Sequence, residues 1–423
     1  EAGPDSFLSE KPWALALCRR LGVEHRLART DDRHRRTFVW FRGRLHPLPD
    51  GFQLLAPTRL VPFASSGLFS WAGKARMALD LILPRGGARM PAGAAGADES
   101  LGSFVRRRLG REALERVAQP LVAGIYTADP EDLSLAATMP RFLELERRER
   151  SLILGLWRAS RRAPDSAAGT SGARWSLFVT FAGGMGEMVD TLAAHLPAGA
   201  VQLERHVSGI ERHGDRWRVE GGDGARVEAD RVVVATEAHA ASRLVRYVDP
   251  SLATLLRVIP YAGSATVSLG YRRADVPHPL DGFGFVVPRS ELRTLLACTF
   301  SSVKYPGRAP EGHVLLRGFV GGALDAAALE GDDAVIVGRV QDELRAALGI
   351  TAEPVLVRVG RHPASMPQYL VGHGRTVEAI ERHLDGTPGL LLAGSAYRGV
   401  GIADCVRSGE AAAERALLGA TAE

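Results

Sequence analysis

The feature that most constrains the fold of this 423-residue chain is the segment 391–408, LLAGSAYRGVGIADCVRS. Its pattern predicts an apolar strand that stops at Gly394, a turn with Gly399 and Gly401, and a helix that opens near Asp404. A helix N-terminus presents unpaired N–H groups and a positive dipole end to an electron-rich partner, and glycines let a flat ring approach the backbone closely. An ordinary strand-to-helix connection has the same spacing, so spacing alone leaves both interpretations open.

Length and composition are typical of a large globular enzyme with two or three domains: 46% of the residues are hydrophobic and 24% are charged. No apolar run approaches the roughly eighteen residues of a spanning helix, and no signal peptide is visible. The three cysteines, Cys18, Cys298 and Cys405, are far apart in sequence, which favours a reduced, cytoplasmic protein. The twelve histidines form no HExxH motif and no paired Cys/His cluster, so no metal site is predicted.

The net charge is +5, and the arginines are concentrated in three segments, 33–44, 106–111 and 147–162. Solvated helix faces explain most of them, and the remainder would attract an anionic substrate or a membrane surface. No nucleic-acid-binding motif is present, and the basic runs are not interleaved with aromatic residues. Nucleic acid is therefore not a predicted partner.

The hydrophobic pattern alternates between helical and strand-like regions along the chain, without a repeat. The predicted elements are a helix over 8–22, a hairpin over 37–49 that turns at Arg42-Gly43, mainly helices over 57–156 with a charged helix over 140–160, a loop over 163–174, a helix over 185–196, paired strands around 200–220, a buried parallel strand over 229–236, strands over 264–322 and helices over 324–348.

The glycine segment resembles the C-terminal flavin signature of the FAD-linked, amine-oxidase-like enzymes, and within them the porphyrinogen oxidases. The resemblance covers almost the whole chain. Its most diagnostic block is DESLGSFVRRRLGREALERVAQPLVAGIYTADPEDLS, and FAGGMGEMVDTL, SSVKYPGRAPEG and SMPQYLVGH match in order. No GxGxxG follows a strand, and the opening GPDSF is similar to a family loop beyond that fingerprint. We therefore expect the first βαβ unit to be missing here and FAD to bind poorly without it.

The resemblance implies an α/β fold, α+β overall, with three parts. One is a Rossmann-like FAD-binding domain of the amine-oxidase/p-hydroxybenzoate-hydroxylase type, expected over 1–30, 174–248 and 386–423. A helical domain over 37–165 would cover the substrate, and a mixed-sheet domain over 249–385 would bind it.

The resemblance also implies FAD as the cofactor and carries site residues onto this sequence. Gly124 would accept the pyrrole N–H groups of the substrate with its backbone carbonyl, and Phe300 and Val286 would flank the macrocycle. Thr37 stands where the family usually has a propionate-binding Arg, so Arg36 and Lys304 become candidates for that role, with Arg42 and Arg44 as further ones. The residues expected at the cofactor are Gly3, Asp5, Ser6, Val207, Gly394, Ser395, Gly399, Val400, Gly401 and Ile402.

The implied reaction is the six-electron oxidation of a porphyrinogen in heme biosynthesis, in three flavin–oxygen cycles that release hydrogen peroxide. No acid–base triad is predicted, because the flavin accepts the electrons. Coproporphyrinogen III is favoured by the missing Arg and by SSVKYP, with protoporphyrinogen IX as the alternative. Another amine-oxidase-like flavoenzyme, such as a carotenoid desaturase, is disfavoured by QPLVAGIY, and a non-catalytic porphyrin-binding or membrane-docking protein is a further rival.

The implied partners are the porphyrinogen, molecular oxygen and a ferrochelatase that would receive the product. Residues 60–84 combine apolar side chains with Lys74 and Arg76, which suits either a helical cover over an active-site cavity or a bilayer interface. We favour the cavity. Peripheral association with the inner face of the cell membrane stays open, as does the choice between monomer and homodimer.

Overall fold

A computed structural model describes residues 1–53, 55–85, 98–162 and 178–418, so the loop expected over 163–174 lies outside the described residues. The strands are β1 (Phe7–Leu8), β2 (Leu27–Arg29), β3 (Thr37–Phe41), β4 (Arg44–Pro47), β5 (Phe52–Gln53), β6 (Ala56–Pro57), β7 (Phe178–Phe181), β8 (Val207–His213), β9 (Arg216–Gly221), β10 (Arg226–Ala229), β11 (Val232–Val234), β12 (Tyr261–Arg272), β13 (Gly284–Val286), β14 (Leu295–Phe300), β15 (His313–Gly321), β16 (Leu356–Pro367) and β17 (Leu390–Leu392). The helices are α1 (Pro12–Arg20), α2 (Leu60–Ser65), α3 (Trp71–Ala78), α4 (Leu101–Arg108), α5 (Arg111–Ala113), α6 (Gln119–Tyr126), α7 (Leu135–Thr138), α8 (Pro140–Glu149), α9 (Leu152–Arg162), α10 (Gly186–Ala194), α11 (Ala238–Val245), α12 (Pro250–Arg257), α13 (Ser301–Lys304), α14 (Asp333–Leu348), α15 (His373–Asp385) and α16 (Ile402–Leu418).

The largest sheet has the strand order β16-β12-β15-β14-β13-β3-β4. Its neighbouring strands are antiparallel except for β13 and β3, which run parallel. Side chains alternate between the two faces of a strand, and both faces of this sheet are covered. One face packs on α14, and we call this group of buried residues, which includes Phe285, Phe300 and Val340, the α14-side cluster. The other face packs on α4 and α6, and we call this group, which includes Val286 and Ala297, the helix-side cluster.

The predicted hairpin is confirmed, and both turn residues, Arg42 and Gly43, have positive φ (52° and 71°), as a two-residue hairpin turn requires. Its position differs from the expected domain division, which placed it with the helices of 37–165. β3 instead pairs with β13, with Thr37 opposite Gly284. The first four residues of β3 are buried, so the strand needs a partner on each side, and the large sheet supplies one.

A smaller α/β region surrounds the glycine segment. β11 and β17 are parallel, with Val232 opposite Leu390, and α11, α12 and α15 pack around them. The antiparallel sheet β8-β9-β10 lies beside this pair, and β1-β7-β2 forms a third sheet near the start of the chain. The predicted parallel strand over 229–236 is confirmed over three residues, of which Val233 is 43% exposed and so is not fully buried.

The single charged helix expected over 140–160 is wrong, because the structure has two helices there. α8 ends at Glu149, Arg150 has a φ of 64°, and α9 begins at Leu152. The break has a physical reason in the buried Arg108, whose guanidinium donates a hydrogen bond to the Arg150 carbonyl. The Ser151 hydroxyl caps the second helix by accepting from Leu154 N.

Within the described ranges, no helix is both long and apolar enough to cross a bilayer. The same residues contain no group of three or more His, Cys, Asp or Glu side chains that could ligate a metal ion.

Candidate functional site

The glycine segment forms the predicted strand, turn and helix. Gly394 and Gly399 have φ values of 119° and 142°, in the region that favours glycine. A Cβ at position 399 would also lie 2.4 Å from Cγ of Asp404, so no side chain fits there. Val400 and Gly401 follow on a partly exposed stretch of backbone. The loop therefore brings bare backbone to the N-terminus of α16.

Asp404 lies in the first turn of α16 and is 9% exposed. Its carboxylate accepts hydrogen bonds from Lys11 Nζ at 2.7 and 2.5 Å. An acidic side chain in the first turn is stabilised by the helix dipole, and Lys11 balances its charge. The positive end of this helix is thus already partly matched by the protein's own carboxylate, which qualifies the expectation that the helix would stabilise charge on a ligand.

The N-terminal segment, with Gly3, Asp5 and Ser6, lies against the large sheet. The Gly3 carbonyl accepts a hydrogen bond from Arg317 Nη2, and Ser6 Oγ donates to Asp5 at 2.7 Å. Lys304 Nζ lies 3.4 Å from the other Asp5 oxygen. Burial acts to raise the pKa of Asp5, but Lys304, Ser6 and Arg317 outweigh it and hold the pKa below its usual value.

Arg317 is a site residue that the sequence reasoning missed. It is 3% exposed, and its Nε has no hydrogen-bond partner among the described residues. Burial lowers its pKa, against the opposing effect of Asp5 and Glu1. In the sheet it lies opposite Thr299, on the face turned away from α14. The signal available in the sequence was a lone arginine inside the apolar strand HVLLRGFVG.

Val286 and Val400, predicted for substrate and cofactor respectively, meet at the helix-side cluster. Val286 is 8% exposed within that cluster, which also contains Ala297 and Tyr369, and Val400 packs against it. Gly124 lies in α6, is exposed, and has no neighbouring atom within 4 Å of a Cβ built on it. The bare backbone of Gly124 therefore lies on α6, a helix that packs on the same cluster and that we call the substrate helix after its predicted role.

Phe300 is not placed where the sequence reasoning expected it. Its side chain is fully buried in the α14-side cluster, against His278 and Phe285. Val286 pairs with Ala297, three residues from Phe300 on β14, and an odd separation along a strand puts side chains on opposite faces. Phe300 and Val286 therefore do not flank one space.

The two candidate propionate-binding residues both have carboxylate neighbours. Arg36 is exposed and pairs with Asp281 at 3.0 Å. Lys304 is 5% exposed and contacts Asp5, a predicted cofactor residue. A different pair of cations lies beside the helix-side cluster: the guanidinium groups of Arg42 and Arg116 lie 5.2 and 4.7 Å from the ring centroid of Phe41, which packs on it.

The remaining predicted cofactor residues lie in the same two loops, with one exception. Ser395 accepts a hydrogen bond through its carbonyl from the Tyr369 hydroxyl, and Ile402 opens α16. Val207 is the first residue of β8, opposite Gly221, in the separate sheet β8-β9-β10. Its contact with a cofactor stays a prediction.

The fold and the glycine loop define a class of flavin-dependent oxidoreductases, and comparison with known proteins gives the family. The chain belongs to the flavin containing amine oxidoreductase family, whose model matches residues 1–417. Coproporphyrinogen III oxidase of Bacillus subtilis is 35% identical over 99% of this chain and 86% of its own length. Human protoporphyrinogen oxidase is 32% identical over 90% of this chain and 78% of its own.

Solved structures agree with this membership. A protein from Exiguobacterium sp. 255-15, to which protoporphyrinogen oxidase activity is ascribed, superposes with a TM-score of 0.84 at 29% identity, over 99% of this chain and 87% of that one. Cyclohexylamine oxidase from Brevibacterium oxydans superposes with a TM-score of 0.65 at 17% identity, over 98% and 87% of the two chains, which shows a shared fold.

The cofactor is FAD, and the residues present fit its ring end. A Cβ on Gly3 would meet no atom within 4 Å, so the N-terminal loop leaves space for close approach of a flat ring, whereas the Cβ side of Gly399 is filled by Asp404. Arg317, which contacts the Gly3 carbonyl, has a buried donor, Nε, that lacks a hydrogen-bond partner among the described residues. Buried donors of this kind suit the carbonyl oxygens and ring nitrogens of a flavin.

Proposed function

We propose that this chain oxidises coproporphyrinogen III to coproporphyrin III in heme biosynthesis, with FAD as cofactor and molecular oxygen as acceptor. The observation that carries the proposal is the apolar helix-side cluster, on which both the glycine loop and the substrate helix pack, with Arg42 and Arg116 beside it. Full-length similarity to coproporphyrinogen III oxidases of Bacillus subtilis and Propionibacterium freudenreichii, at 35% identity each, supports the same substrate.

The reaction removes six electrons and six hydrogens from the macrocycle, and three molecules of oxygen become three of hydrogen peroxide. When bound, FAD accepts two electrons at a time as a hydride, which no side chain of this protein can do. The protein's own residues bind the macrocycle, orient one bridge carbon and exclude water. Under this division, the proposed reaction requires no acid–base pair among the protein's side chains.

The carbonyl of Gly124 is suited to the pyrrole N–H groups of the substrate. It lies in the last turn of α6, where carbonyls lack intrahelical partners and the helix dipole is negative. The absence of a side chain lets a flat macrocycle approach. Gly124 would therefore fix the centre of the ring, while Val286 and Val400 supply the apolar walls.

We assign the propionate contacts to Arg42 and Arg116 in place of Arg36 and Lys304. Arg116 is paired with Glu112 at 3.0 Å, and Arg42, whose charge also helps to lower the pKa of Glu112, extends from the exposed turn of the β3–β4 hairpin over Phe41. A guanidinium offers a two-pronged contact to a carboxylate. Arg42 is thus the stronger candidate for a substrate with four propionates.

The test compares turnover of the two porphyrinogens, followed by the rise of porphyrin fluorescence. We expect kcat/KM at least about tenfold higher for coproporphyrinogen III, and Arg42→Gln should raise the KM for this substrate several-fold with kcat little changed. Arg358→Gln, an exposed arginine on β16 at the opposite edge of the large sheet, is the control. Equal turnover, or a preference for the divinyl substrate, would overturn the proposal.

Oxidation of protoporphyrinogen IX is the second candidate, and one observation favours it. The cluster residues Val286 and Ala297 and the adjoining Phe319 are apolar, which suits two vinyl groups better than two further propionates. If Arg42→Gln loses activity on coproporphyrinogen III and keeps it on protoporphyrinogen IX, the additional carboxylate contacts are assigned to Arg42, while both substrates share the apolar walls.

We also propose a cytoplasmic location with weak peripheral membrane contact through α2 and α3. Leu60, Val61, Trp71 and Ile82 are 69–80% exposed, while Phe63 and neighbouring side chains face the cluster. Exposed aromatic and aliphatic side chains with adjacent basic residues suit a headgroup interface. Transfer of the product to a ferrochelatase and the oligomeric state stay predictions from the family resemblance.

Flotation with phosphatidylglycerol vesicles tests this contact. The protein should float with the vesicles, and Trp71→Ser should float several-fold less. Leu203→Ser removes an 81% exposed leucine in the segment before β8, which belongs to the separate sheet β8-β9-β10, and is the control. Equal flotation of both variants and the parent would contradict membrane contact through α2 and α3.

A further inference from the structure

The segment between β16 and α15 contains a residue that closes the glycine loop. Tyr369 is 1% exposed, and its hydroxyl accepts a hydrogen bond from Gly399 N at 2.7 Å and donates one to the Ser395 carbonyl at 2.6 Å. One hydroxyl thus joins two residues of the loop that are expected at the flavin. Burial raises the pKa of Tyr369, which keeps the hydroxyl protonated and able to donate.

A histidine fixes the Tyr369 ring in this position. The two rings stack, with centroids 3.9 Å apart and an interplanar angle of 11°. Nε2 of His373 lies 2.9 Å from the Tyr397 carbonyl, so this nitrogen must carry the proton and donate. Ser395, Tyr397 and Gly399 are therefore each tied, directly or through His373, to one buried side chain.

The preceding residue reaches in the opposite direction, to the substrate helix. The Gln368 side-chain amide donates to the Tyr126 carbonyl at 3.1 Å, at the end of α6 and two residues from Gly124. Its backbone N–H donates to the Pro260 carbonyl at 2.8 Å, which anchors the residue to the start of β12. Adjacent side chains thus hold the predicted substrate helix and the predicted flavin loop.

We propose that Gln368 and Tyr369 are positioning residues that set the distance between α6 and the glycine loop. This inference rests on the proposed function, since it assigns the substrate to α6. Transfer of a hydride requires the reacting atoms at close approach, and misplacement by about 1 Å costs on the order of a hundredfold in rate. A short, buried and doubly hydrogen-bonded connection is suited to fixing that distance.

The first test uses the purified full-length holoenzyme and needs no porphyrinogen. Tyr369→Phe keeps the ring and its stacking but removes both hydroxyl bonds, so Gly399 N–H and the Ser395 carbonyl lose their partner. We expect FAD to dissociate about tenfold faster after dilution, measured by the rise in flavin fluorescence, with a changed visible circular dichroism spectrum of the bound flavin. Tyr271→Phe is the matched control, because Tyr271 is a buried tyrosine, 1% exposed, in the α14-side cluster on the opposite face of the large sheet.

The second test separates the contact of Gln368 with α6 from the contact of Tyr369 with the glycine loop. Gln368→Met keeps the length of the side chain and removes the donor to Tyr126. It should lower kcat for coproporphyrinogen III at least several-fold and raise its KM, while FAD dissociation and the flavin spectrum stay at the parent values. The double variant should show both defects.

The outcomes distinguish this inference from the proposed function. If Tyr369→Phe releases FAD no faster than Tyr271→Phe, the positioning role is wrong whatever the substrate is. If the parent protein oxidises no porphyrinogen, the proposed function and the Gln368 half of the inference fall together, while faster FAD release from Tyr369→Phe still supports the flavin half. If Gln368→Met changes the flavin spectrum but leaves the KM unchanged, the assignment of Gln368 to α6 and of Tyr369 to the glycine loop is wrong.

Discussion

Two buried groups of this molecule combine an arginine with an aspartate, yet their hydrogen bonds are completed to different degrees. In the helical region, Arg108 and Asp80 are both fully buried, and the guanidinium also donates to the carbonyls of Pro84 and Arg150. Asp80 in turn accepts from Ser151 Oγ at 2.6 Å and from a backbone N–H. The two charges neutralise each other, and the hydrogen-bonding groups of both side chains have partners.

Beside the N-terminal segment, the second group is more open. Asp5 is approached by Lys304 and by Arg317, and Arg317 contacts the Gly3 carbonyl, but its Nε has no hydrogen-bond partner among the described residues. A fully completed polar network joins elements of structure, whereas incomplete buried polar groups concentrate where a ligand binds. We infer that the first group stabilises the helices and the second serves the cofactor.

The largest expected effect is on the helical group. Arg108→Ala leaves Asp80 as an unpaired buried charge, which costs about 3–5 kcal/mol in the free energy of unfolding. Chemical denaturation followed by far-ultraviolet circular dichroism measures this. The control is Arg106→Ala, on the same helix as Arg108. Arg106 is 48% exposed and pairs with Glu131, so its loss should cost less than about 1 kcal/mol in the free energy of unfolding. Similar losses for the two variants would contradict a special role for the buried pair.

The second-largest effect should be a loss of FAD affinity with little change in the free energy of unfolding. Arg317→Met replaces an incompletely bonded buried cation with an apolar side chain, and Asp5 keeps Lys304 as its partner. We expect the free energy of unfolding of the apoprotein to change by less than about 1 kcal/mol, while FAD affinity falls about tenfold, which is about 1.4 kcal/mol. Isothermal titration with FAD measures the affinity.

Arg358→Met is the control for Arg317→Met, because Arg358 lies on β16 of the same sheet and is exposed. FAD affinity of this variant should match that of the parent. If Arg317→Met instead unfolds like Arg108→Ala and binds FAD normally, the division between a structural and a cofactor-serving group is wrong.

The smallest effect concerns pH. The pKa of Asp5 is lower in the folded state than its ordinary value of 3.8, so its ionised form stabilises the fold above that pH, and this contribution is lost as the pH falls through the folded-state pKa. Asp5→Asn should therefore lower the free energy of unfolding by about 1 kcal/mol near neutral pH, with the difference shrinking below about pH 4. Denaturation at a series of pH values tests this. If the stability difference between the parent and Asp5→Asn grew on acidification, the pKa of Asp5 would be raised in the folded state and not lowered.

Local features of the fold were predictable because they depend on neighbours in sequence. The Arg42-Gly43 turn and the strand before Gly394 were both expected and are present. The helix break at Arg150 was not predictable, because it depends on Arg108, 42 residues earlier in the chain.

The candidate site divides in the same way. The glycine loop was recognised from its own residues, and the structure adds the reason for Gly399, whose Cβ position is taken by Asp404. Phe300 and Val286 were expected on either side of one ligand, but they lie on opposite faces of the sheet, because the face of a side chain depends on strand register; the substrate contact of Phe300 stays a prediction. Arg317 and Tyr369 were missed, since each acts through contacts with segments far away in the sequence.

The sequence by itself determined the family, the cofactor and the bare backbone of the glycine loop, because glycine spacing and an apolar strand act over a few residues. Only the tertiary structure decided which charges meet, as in Lys11 with Asp404, 393 residues apart, and Lys304 with Asp5, 299 apart. It also decided which face of the large sheet turns toward the glycine loop. Both depend on strand pairing and packing between distant segments, for which one sequence offers no local signal.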